Sequence, residues 1–273
     1  MNNNYLLSHR NPEPENSVLY VVGTPIGNLN DISSRALHIL KNVSLIACED
    51  TRQTIKILNK FNITNNLLSF NKDNSYVKVP KIIEELKSEK SIALVSDAGM
   101  PSICDPGEDL IKEAKFNGID IICIPGPCAA ITAIASSGMT ASRFIFEGFL
   151  PRKKRERENI LIDISENEKT TILYESPHRF MKLLLDLKKF CGGDREIQVS
   201  RELTKKFEEN IYANIDNLLK FFNGREILGE ITIVIKGKSK TKELDFNKIQ
   251  IKKDLSELVN LGLSLSAASR YLA

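Results

Sequence analysis

The first half of the chain alternates short apolar runs with amphipathic segments. Four apolar runs predict buried strands, at residues 18–22, 44–48, 92–95 and 120–124. Between them, apolar side chains recur every three or four residues, which predicts helices. Asp31 is expected to cap the first helix, and Pro80 to lie near the first turn of a helix at about residues 78–88. Such alternation predicts a mainly parallel sheet covered on both faces.

The second half has fewer glycine-rich turns after its apolar runs. Strands are predicted at residues 144–146, 170–174, 196–200 and 230–236. Helices are predicted at about residues 154–164, 178–190 and 215–222. This pattern predicts a second α/β unit with a mixed sheet.

The predicted elements divide the 273 residues into two α/β domains. We predict an N-terminal domain over residues 17–126 and a C-terminal domain over residues 127–238. A linker and a short helical extension are expected over residues 239–273. Residues 1–16 are polar and lack the features of a signal peptide, so we predict a disordered tail on a cytoplasmic protein.

Composition argues against several classes of protein. No apolar run approaches the roughly 18 residues of a membrane helix. The five cysteines show no metal-ligand spacing, so reduced thiols are expected; Cys48 and Cys123 lie inside apolar runs, where thiols pack as small hydrophobic groups. The three histidines are far apart, and no metal site is predicted.

Positive charge is concentrated in the second half of the chain. Residues 1–150 hold 14 basic and 16 acidic residues, whereas the remainder holds 24 basic and 19 acidic residues. A basic surface attracts nucleic acid, although the basic run after residue 151 could equally be a solvated helix start. The candidate RNA-binding residues are Arg152, Lys153, Lys154, Arg155, Arg179, Arg201 and Lys205.

Four loops rich in glycine and proline follow apolar strands, at residues 23–29, 96–107, 125–127 and 147–151. Each could be an ordinary tight connection. Because the carboxyl ends of parallel strands share one edge of the sheet, four such loops predict a cleft for a nucleoside-like ligand. No G-x-G-x-x-G follows the first strand, and Thr232 stands where a P-loop ending at Ser239 would need glycine.

An acidic pair, Glu49 and Asp50, follows another predicted strand and precedes Arg52. These residues are candidates for catalysis, with the carboxylates as proton acceptors and Arg52 as an orienting or phosphate-binding group. The structural alternative is a cap on the following helix, because acidic side chains stabilise a helix N-terminus.

Taken together, these motifs resemble one family. The sequence is similar to the RsmI-type ribosomal RNA small-subunit methyltransferases, in the tetrapyrrole methylase (class III) superfamily, over about residues 17–238. The motifs that carry the resemblance are GTPIGNLNDI at 23–32, ACEDTR at 47–52, SDAGMPSICDPG at 96–107, PGP at 125–127, GFLPRK at 148–153, YESPHR at 174–179 and RELTK at 201–205.

The resemblance implies S-adenosylmethionine as methyl donor and the ribose 2′-hydroxyl of a decoding-region cytidine in 16S rRNA as acceptor. It implies a two-domain tetrapyrrole-methylase-like fold with the cofactor in the cleft between domains, and a homodimer that acts on the small ribosomal subunit. The residues expected at the cofactor are Gly23, Thr24, Asp97, Gly99, Met100, Pro101, Ile103, Cys128, Ala129 and Tyr174.

This sequence departs from the family pattern in two places. Cys104 and Cys128 stand where serine is usual, so a hydroxyl hydrogen bond at position 128 would be lost or weakened. The segment that begins at Gly262 resembles the start of the family's helical C-terminal extension, and the chain stops at Ala273. We therefore expect a short extension, which puts its contribution to RNA affinity in doubt.

Two alternatives stay open. A tetrapyrrole C-methyltransferase would share the superfamily fold, but the GFLPRK and YESPHR motifs argue against it. A non-catalytic RNA-binding module would keep the basic residues and lose the loops, whereas the loops are well formed here.

If Asp50 accepts the proton of the hydroxyl, Asp50→Asn should reduce methyl transfer far more than cofactor binding.

Overall fold

The computed structural model describes residues 13–239 and 243–272, and these ranges contain two five-stranded sheets. The strands are β1 Val18–Val22, β2 Leu45–Cys48, β3 Leu67–Ser69, β4 Ile92–Val95, β5 Asp120–Ile124, β6 Phe144–Phe149, β7 Thr170–Glu175, β8 Glu196–Arg201, β9 Glu209–Asn214 and β10 Ile231–Ile235. The helices are α1 Ser34–Asn42, α2 Thr51–Lys60, α3 Ser75–Lys87, α4 Glu108–Phe116, α5 Ala129–Ser136, α6 Lys154–Glu166, α7 Pro177–Cys191, α8 Ile215–Phe222, α9 Glu243–Asn260 and α10 Leu265–Leu272. Residues 1–12 of the predicted tail lie outside the described residues.

The first sheet is parallel throughout, in the order β3-β2-β4-β1-β5. Tyr20 of β1 lies between Ala93 of β4 and Ile122 of β5, and every residue of β1 and β4 is buried. The predicted parallel sheet is confirmed. Since all five strands point the same way, the loops that leave β1, β2, β4 and β5 meet at one edge.

The second sheet is mixed, in the order β6-β7-β10-β8-β9, with only β6 and β7 parallel. One face packs against α6, α7 and α8 through a core that includes Phe180, Leu184 and Phe222. Helix α5 covers the other face, where Ala133 and Ile134 contact apolar residues of β7 and β10. The predicted mixed sheet is confirmed.

Three local predictions were wrong. Ser33, not Asp31, caps α1 by accepting a hydrogen bond from the Ala36 amide at 3.1 Å; Asp31 ends a short 3-10 turn. Helix α3 already begins at Ser75, so Pro80 lies inside it. Cys123 is exposed because β5 is an edge strand.

The two sheets are joined where the loop after β1 touches the loop after β8. The Asn28 amide donates a hydrogen bond to Thr204 Oγ1 at 2.9 Å. A Cβ atom on Gly27 would lie 2.5 Å from Lys205 Cγ and 2.7 Å from Thr204 Oγ1, so only glycine permits this approach. The contact fixes the carboxyl edge of the first sheet against the second.

Across the part of the chain that the structure describes, we find no helix with the length and apolar content that a bilayer crossing requires.

Removing the Phe180 ring should destabilise the second sheet and its helices. Phe180 is fully buried and packs edge-to-face on Phe222, with ring centroids 4.9 Å apart. Phe180→Ala should lower the free energy of unfolding by about 3–5 kcal/mol, measured by urea denaturation. Phe116 is 86% exposed, so Phe116→Ala should change it by less than about 0.5 kcal/mol. Equal losses in the two variants would contradict this packing.

Candidate active site

A cavity of about 310 Å³ lies between the carboxyl edge of the first sheet and the second sheet. Its apolar lining includes Ile26, Met100, Ile103 and Phe149. A few polar groups lie among them, including Asp105 and Thr232. A concave apolar space with few polar groups is typical of a small-molecule site.

The floor of the cavity depends on loops that approach closely. Thr24 and Gly99 exchange two backbone hydrogen bonds, at 2.8 and 3.1 Å, and Thr24 Oγ1 also donates to the Ser96 carbonyl at 3.2 Å. A Cβ atom on Gly23 would lie 2.6 Å from the Gly126 Cα. Gly23 and Thr24 therefore hold the loops together beneath the cavity.

Tyr174 is a fixed part of the wall. Its ring packs edge-to-face on Phe146 and Phe149, with centroids 5.0 and 5.6 Å away. Its hydroxyl accepts a hydrogen bond from the Ala130 amide at 3.1 Å, at the start of α5. Burial raises the pKa of the Tyr174 hydroxyl, and the neighbouring Cys128 thiol adds to the effect. Tyr174 therefore stays a neutral, rigid wall group.

Three carboxyl groups lie close enough to interact electrostatically: Glu49 directly after β2, and Asp97 and Asp105 in the loop after β4. Burial raises the pKa of Glu49, and the negative charges of Asp105 and Asp97 raise it further. Asp105, which lines the cavity, also has a raised pKa because of burial, against a hydrogen bond from Ser96. Within the described residues, no group of histidine, cysteine and acidic side chains is arranged to hold a metal ion.

The pKa of Asp50 shifts in the opposite direction, although Asp50 is adjacent to Glu49. Its carboxylate accepts three hydrogen bonds from the Arg52 side chain, from Nε to Oδ1 at 3.0 Å and to Oδ2 at 3.1 Å, and from Nη2 to Oδ2 at 2.6 Å. It also caps α2 by accepting a hydrogen bond from the Arg52 amide at 2.8 Å. The Arg52 bonds lower the pKa of Asp50 to about 2, so this carboxylate is a weak base. The cap anticipated as the alternative role is present.

The basic residues fall into two groups. Arg152, Lys153, Lys154 and Arg155 are exposed where α6 begins, and Lys153 forms a surface ion pair with Glu156 at 3.2 Å. Arg179, Arg201 and Lys205 each have protein partners. Arg179 NH2 donates to the Leu150 carbonyl at 2.7 Å, Arg201 pairs with Glu209 at 3.2 Å, and Lys205 pairs with Glu202 and Glu230 at 2.9 Å.

A buried charge network lies behind the cavity wall. The Glu175 side chain is fully buried, accepts a hydrogen bond from the Ser176 amide at 2.8 Å and forms an ion pair with Arg179, whose Nε lies 3.2 Å from Glu175 Oε1. Arg157 lies 3.7 Å from its other oxygen and donates to Asp186 at 2.9 Å. The network ties the starts of α6 and α7 to the end of β7.

Comparison with known proteins identifies the family of this chain. The family model for tetrapyrrole (corrin/porphyrin) methylases matches residues 18–219. The chain belongs to this family. It is a methyltransferase, and its relatives include proteins named ribosomal RNA small subunit methyltransferase I. The Synechocystis sp. protein of that name is 41% identical over 94% of this chain and 92% of its own length. The Thermotoga maritima protein of that name is 45% identical over 81% of this chain and 98% of its own length.

Solved structures agree on the fold. A cobalt precorrin-4 methyltransferase of cobalamin biosynthesis covers 81% of this chain and 95% of its own, with a TM-score of 0.62 and 17% identity. Uroporphyrin-III C-methyltransferase from Thermus thermophilus has a TM-score of 0.56 and 14% identity, covering 81% of this chain and 94% of its own. At these identities the likeness concerns the fold alone.

The predicted cofactor residues occupy different positions. Six line the cavity: Gly99, Met100, Ile103, Cys128, Ala129 and Tyr174. Of the others, Pro101 is buried, and Asp97 accepts a hydrogen bond from the Asp50 amide at 2.9 Å. Sequence reasoning missed Ile26, Asp105 and Phe149 as lining residues, although all three lie inside the motifs that carried the resemblance. The functional roles of all these residues stay predictions.

The low pKa of Asp50 should depend on Arg52. In Arg52→Ala, the pKa of the Asp50 carboxyl should move closer to its ordinary value of 3.8, because the hydrogen bonds that the Arg52 side chain donates are gone. A carbon-13 NMR titration of the carboxyl carbon measures this. Lys56 is a minor contributor, so Lys56→Ala should leave the titration almost unchanged. An Asp50 pKa that stays near 2 in Arg52→Ala would contradict the assignment.

Proposed function

We propose that this protein transfers a methyl group from S-adenosylmethionine to the ribose 2′-hydroxyl of a cytidine in the decoding region of 16S rRNA. The observation that carries the proposal is the position of the apolar cavity, whose wall residue Phe149 lies three residues before the exposed basic segment 152–155. Relatives named for methylation of small-subunit ribosomal RNA support the choice of substrate. A homodimer is part of the proposal, on the family resemblance alone.

The cavity suits a nucleoside-containing cofactor. Its volume of about 310 Å³ is at the lower end of the range for small-molecule sites, and its walls are mostly apolar. The close approach of Gly23 to Gly126 leaves no room for a side chain where the loops cross. S-Adenosylmethionine, when bound, supplies an electrophilic methyl group, so the protein's main contribution is alignment, which can provide about 7–11 kcal/mol.

A proton acceptor is needed because a ribose hydroxyl is a poor nucleophile at neutral pH. Both oxygens of Asp50 are held by Arg52, and its lowered pKa makes it a weak base. Glu49 has a raised pKa, which is closer to the value that suits a general base. We therefore assign proton acceptance to Glu49. Asp50 caps α2 and holds the Arg52 side chain in place.

RNA phosphates should meet the exposed basic residues 152–155 first. Neutralising phosphates with lysine and arginine supplies sequence-independent affinity. A phosphate that reached Arg179, Arg201 or Lys205 would have to displace existing protein partners. We propose that Arg179 mainly supports the loop before α6.

The test is methyl transfer from tritiated S-adenosylmethionine with the purified full chain. Small ribosomal subunits should accept the label, and a porphyrin precursor should not. Nuclease digestion and mass spectrometry should then find one 2′-O-methylcytidine in 16S rRNA. Label in the porphyrin would instead support a tetrapyrrole methyltransferase. Absence of S-adenosylmethionine binding in calorimetry would support a non-catalytic module.

Substitution should separate the roles of the adjacent carboxylates. Glu49→Gln should lower kcat by about 10²–10⁴-fold, as expected for loss of a general base, with little change in the Kd for the methyl donor. Asp50→Asn should have the smaller effect on kcat, because its carboxylate serves the helix cap and Arg52. Single-turnover assays at saturating donor measure the rate of methyl transfer in both variants. Unchanged turnover in Glu49→Gln would remove that residue from the chemistry.

A further inference from the structure

Core packing does not explain why a large aromatic side chain stands at position 149. Phe149 ends β6 and lines the cavity, yet its surface is 53% exposed. The next residue, Leu150, behaves differently, since it is 1% exposed and joins the core of the second sheet. An exposed aromatic ring at the edge of an apolar cavity is available for contact with a flat ligand.

The Phe149 ring and its backbone are held in place from three sides. Tyr174 packs edge-to-face at 5.6 Å, and Tyr174 is itself fixed by the Ala130 amide. A Cβ atom on the preceding residue, Gly148, would lie 2.6 Å from the Cys104 Sγ, so the loop after β4 packs closely against this part of the backbone. The next carbonyl, that of Leu150, accepts a hydrogen bond from Arg179 at 2.7 Å, and Arg179 is paired with the buried Glu175. A ring held in this way loses little freedom when a ligand stacks on it.

The same loop also carries positive charge. Arg152, Lys153, Lys154 and Arg155 follow Phe149 within six residues, and all four are exposed. An aromatic face beside cations that can bind phosphate is the combination by which proteins hold single-stranded nucleic acid. A free cofactor in the cavity needs no such cationic segment, so the combination favours RNA as the partner of Phe149.

We propose that Phe149 is the stacking platform for the base of the target nucleotide. The inference rests on the proposed function and deepens it. Enzymes that modify a nucleotide commonly take its base out of the helical stack, which loses the stacking interaction unless the protein offers a replacement contact. A base stacked on Phe149 would place its ribose at the cavity and its phosphates near residues 152–155.

Three variants test this on the full chain with small ribosomal subunits. Phe149→Leu keeps apolar bulk beside Tyr174 but removes the aromatic face, Phe149→Tyr keeps the face, and Phe116→Leu is the matched control on an exposed ring at the end of α4. Phe149→Leu should raise KM for the RNA by about tenfold, the scale of one base–aromatic stack, and should change the donor Kd far less, because leucine still supplies an apolar wall to the cavity. The other two variants should behave as wild type.

A second measurement asks whether the base itself faces the ring. RNA with an abasic site at the methylated position keeps the 2′-hydroxyl, so its affinity is compared in wild type and Phe149→Leu. Wild type should lose about as much affinity as the Phe149→Leu change causes, and the two changes together should cost little more than either alone. Additive losses would overturn the proposal.

The methyl donor also carries a flat base, and the same assays distinguish it. If Phe149→Leu raised the donor Kd and left the KM for RNA unchanged, the platform would serve the cofactor's adenine and the proposal would be wrong. If wild type transferred no methyl group to RNA, the proposed function itself would fail, and this inference with it. Normal transfer with an unaffected Phe149→Leu would overturn the inference alone.

Discussion

The site depends on one close approach between backbones at the carboxyl edge of the first sheet. The loop after β1 crosses the loop after β5 with so little space that a Cβ atom on Gly23 or Gly126 would collide with the other residue. Two hydrogen bonds between Thr24 and Gly99 bring the loop after β4 to the same point. Three loops from separate parts of the chain thereby form one rigid floor. Such a floor can hold a ligand without rearrangement, which is the form of preorganisation that alignment-dependent chemistry needs.

The second sheet supplies another wall of the cavity, and its strand β6 leads into the exposed basic residues 152–155. Tyr174 and Phe149 form one wall, and the charges behind that wall link it to α6 and α7. Burying Glu175 with Arg157 costs desolvation, so the network contributes little net stability but strongly penalises the loss of one partner. Its effect is positional, because the loop that carries Phe149 also leads into the basic start of α6.

Much of the fold could be predicted from the sequence because its signals are local. The bounds of β1 and β5 follow directly from their apolar runs. Strand β3 was missed because it has only three half-buried residues, and β9 because it is a partly exposed edge strand rich in polar side chains. The site was harder to predict. Arg179, Arg201 and Lys205 resemble free phosphate ligands in the sequence, because spacing alone does not show that the fold pairs them with Glu175, Glu209 and Glu230. Phe149 belongs to the second sheet and lines the cavity because this sheet packs beside the first. Such a contact between distant parts of the chain is not visible in a sequence pattern.

We propose that this chain methylates a ribose in small-subunit ribosomal RNA. The most direct measurement is a map of ribose methylation across 16S rRNA from cells with the chain and from otherwise identical cells without it. The account predicts that one 2′-O-methylcytidine in the decoding region disappears with the chain and returns when the chain is supplied again. Identical methylation maps in the two kinds of cell would contradict it.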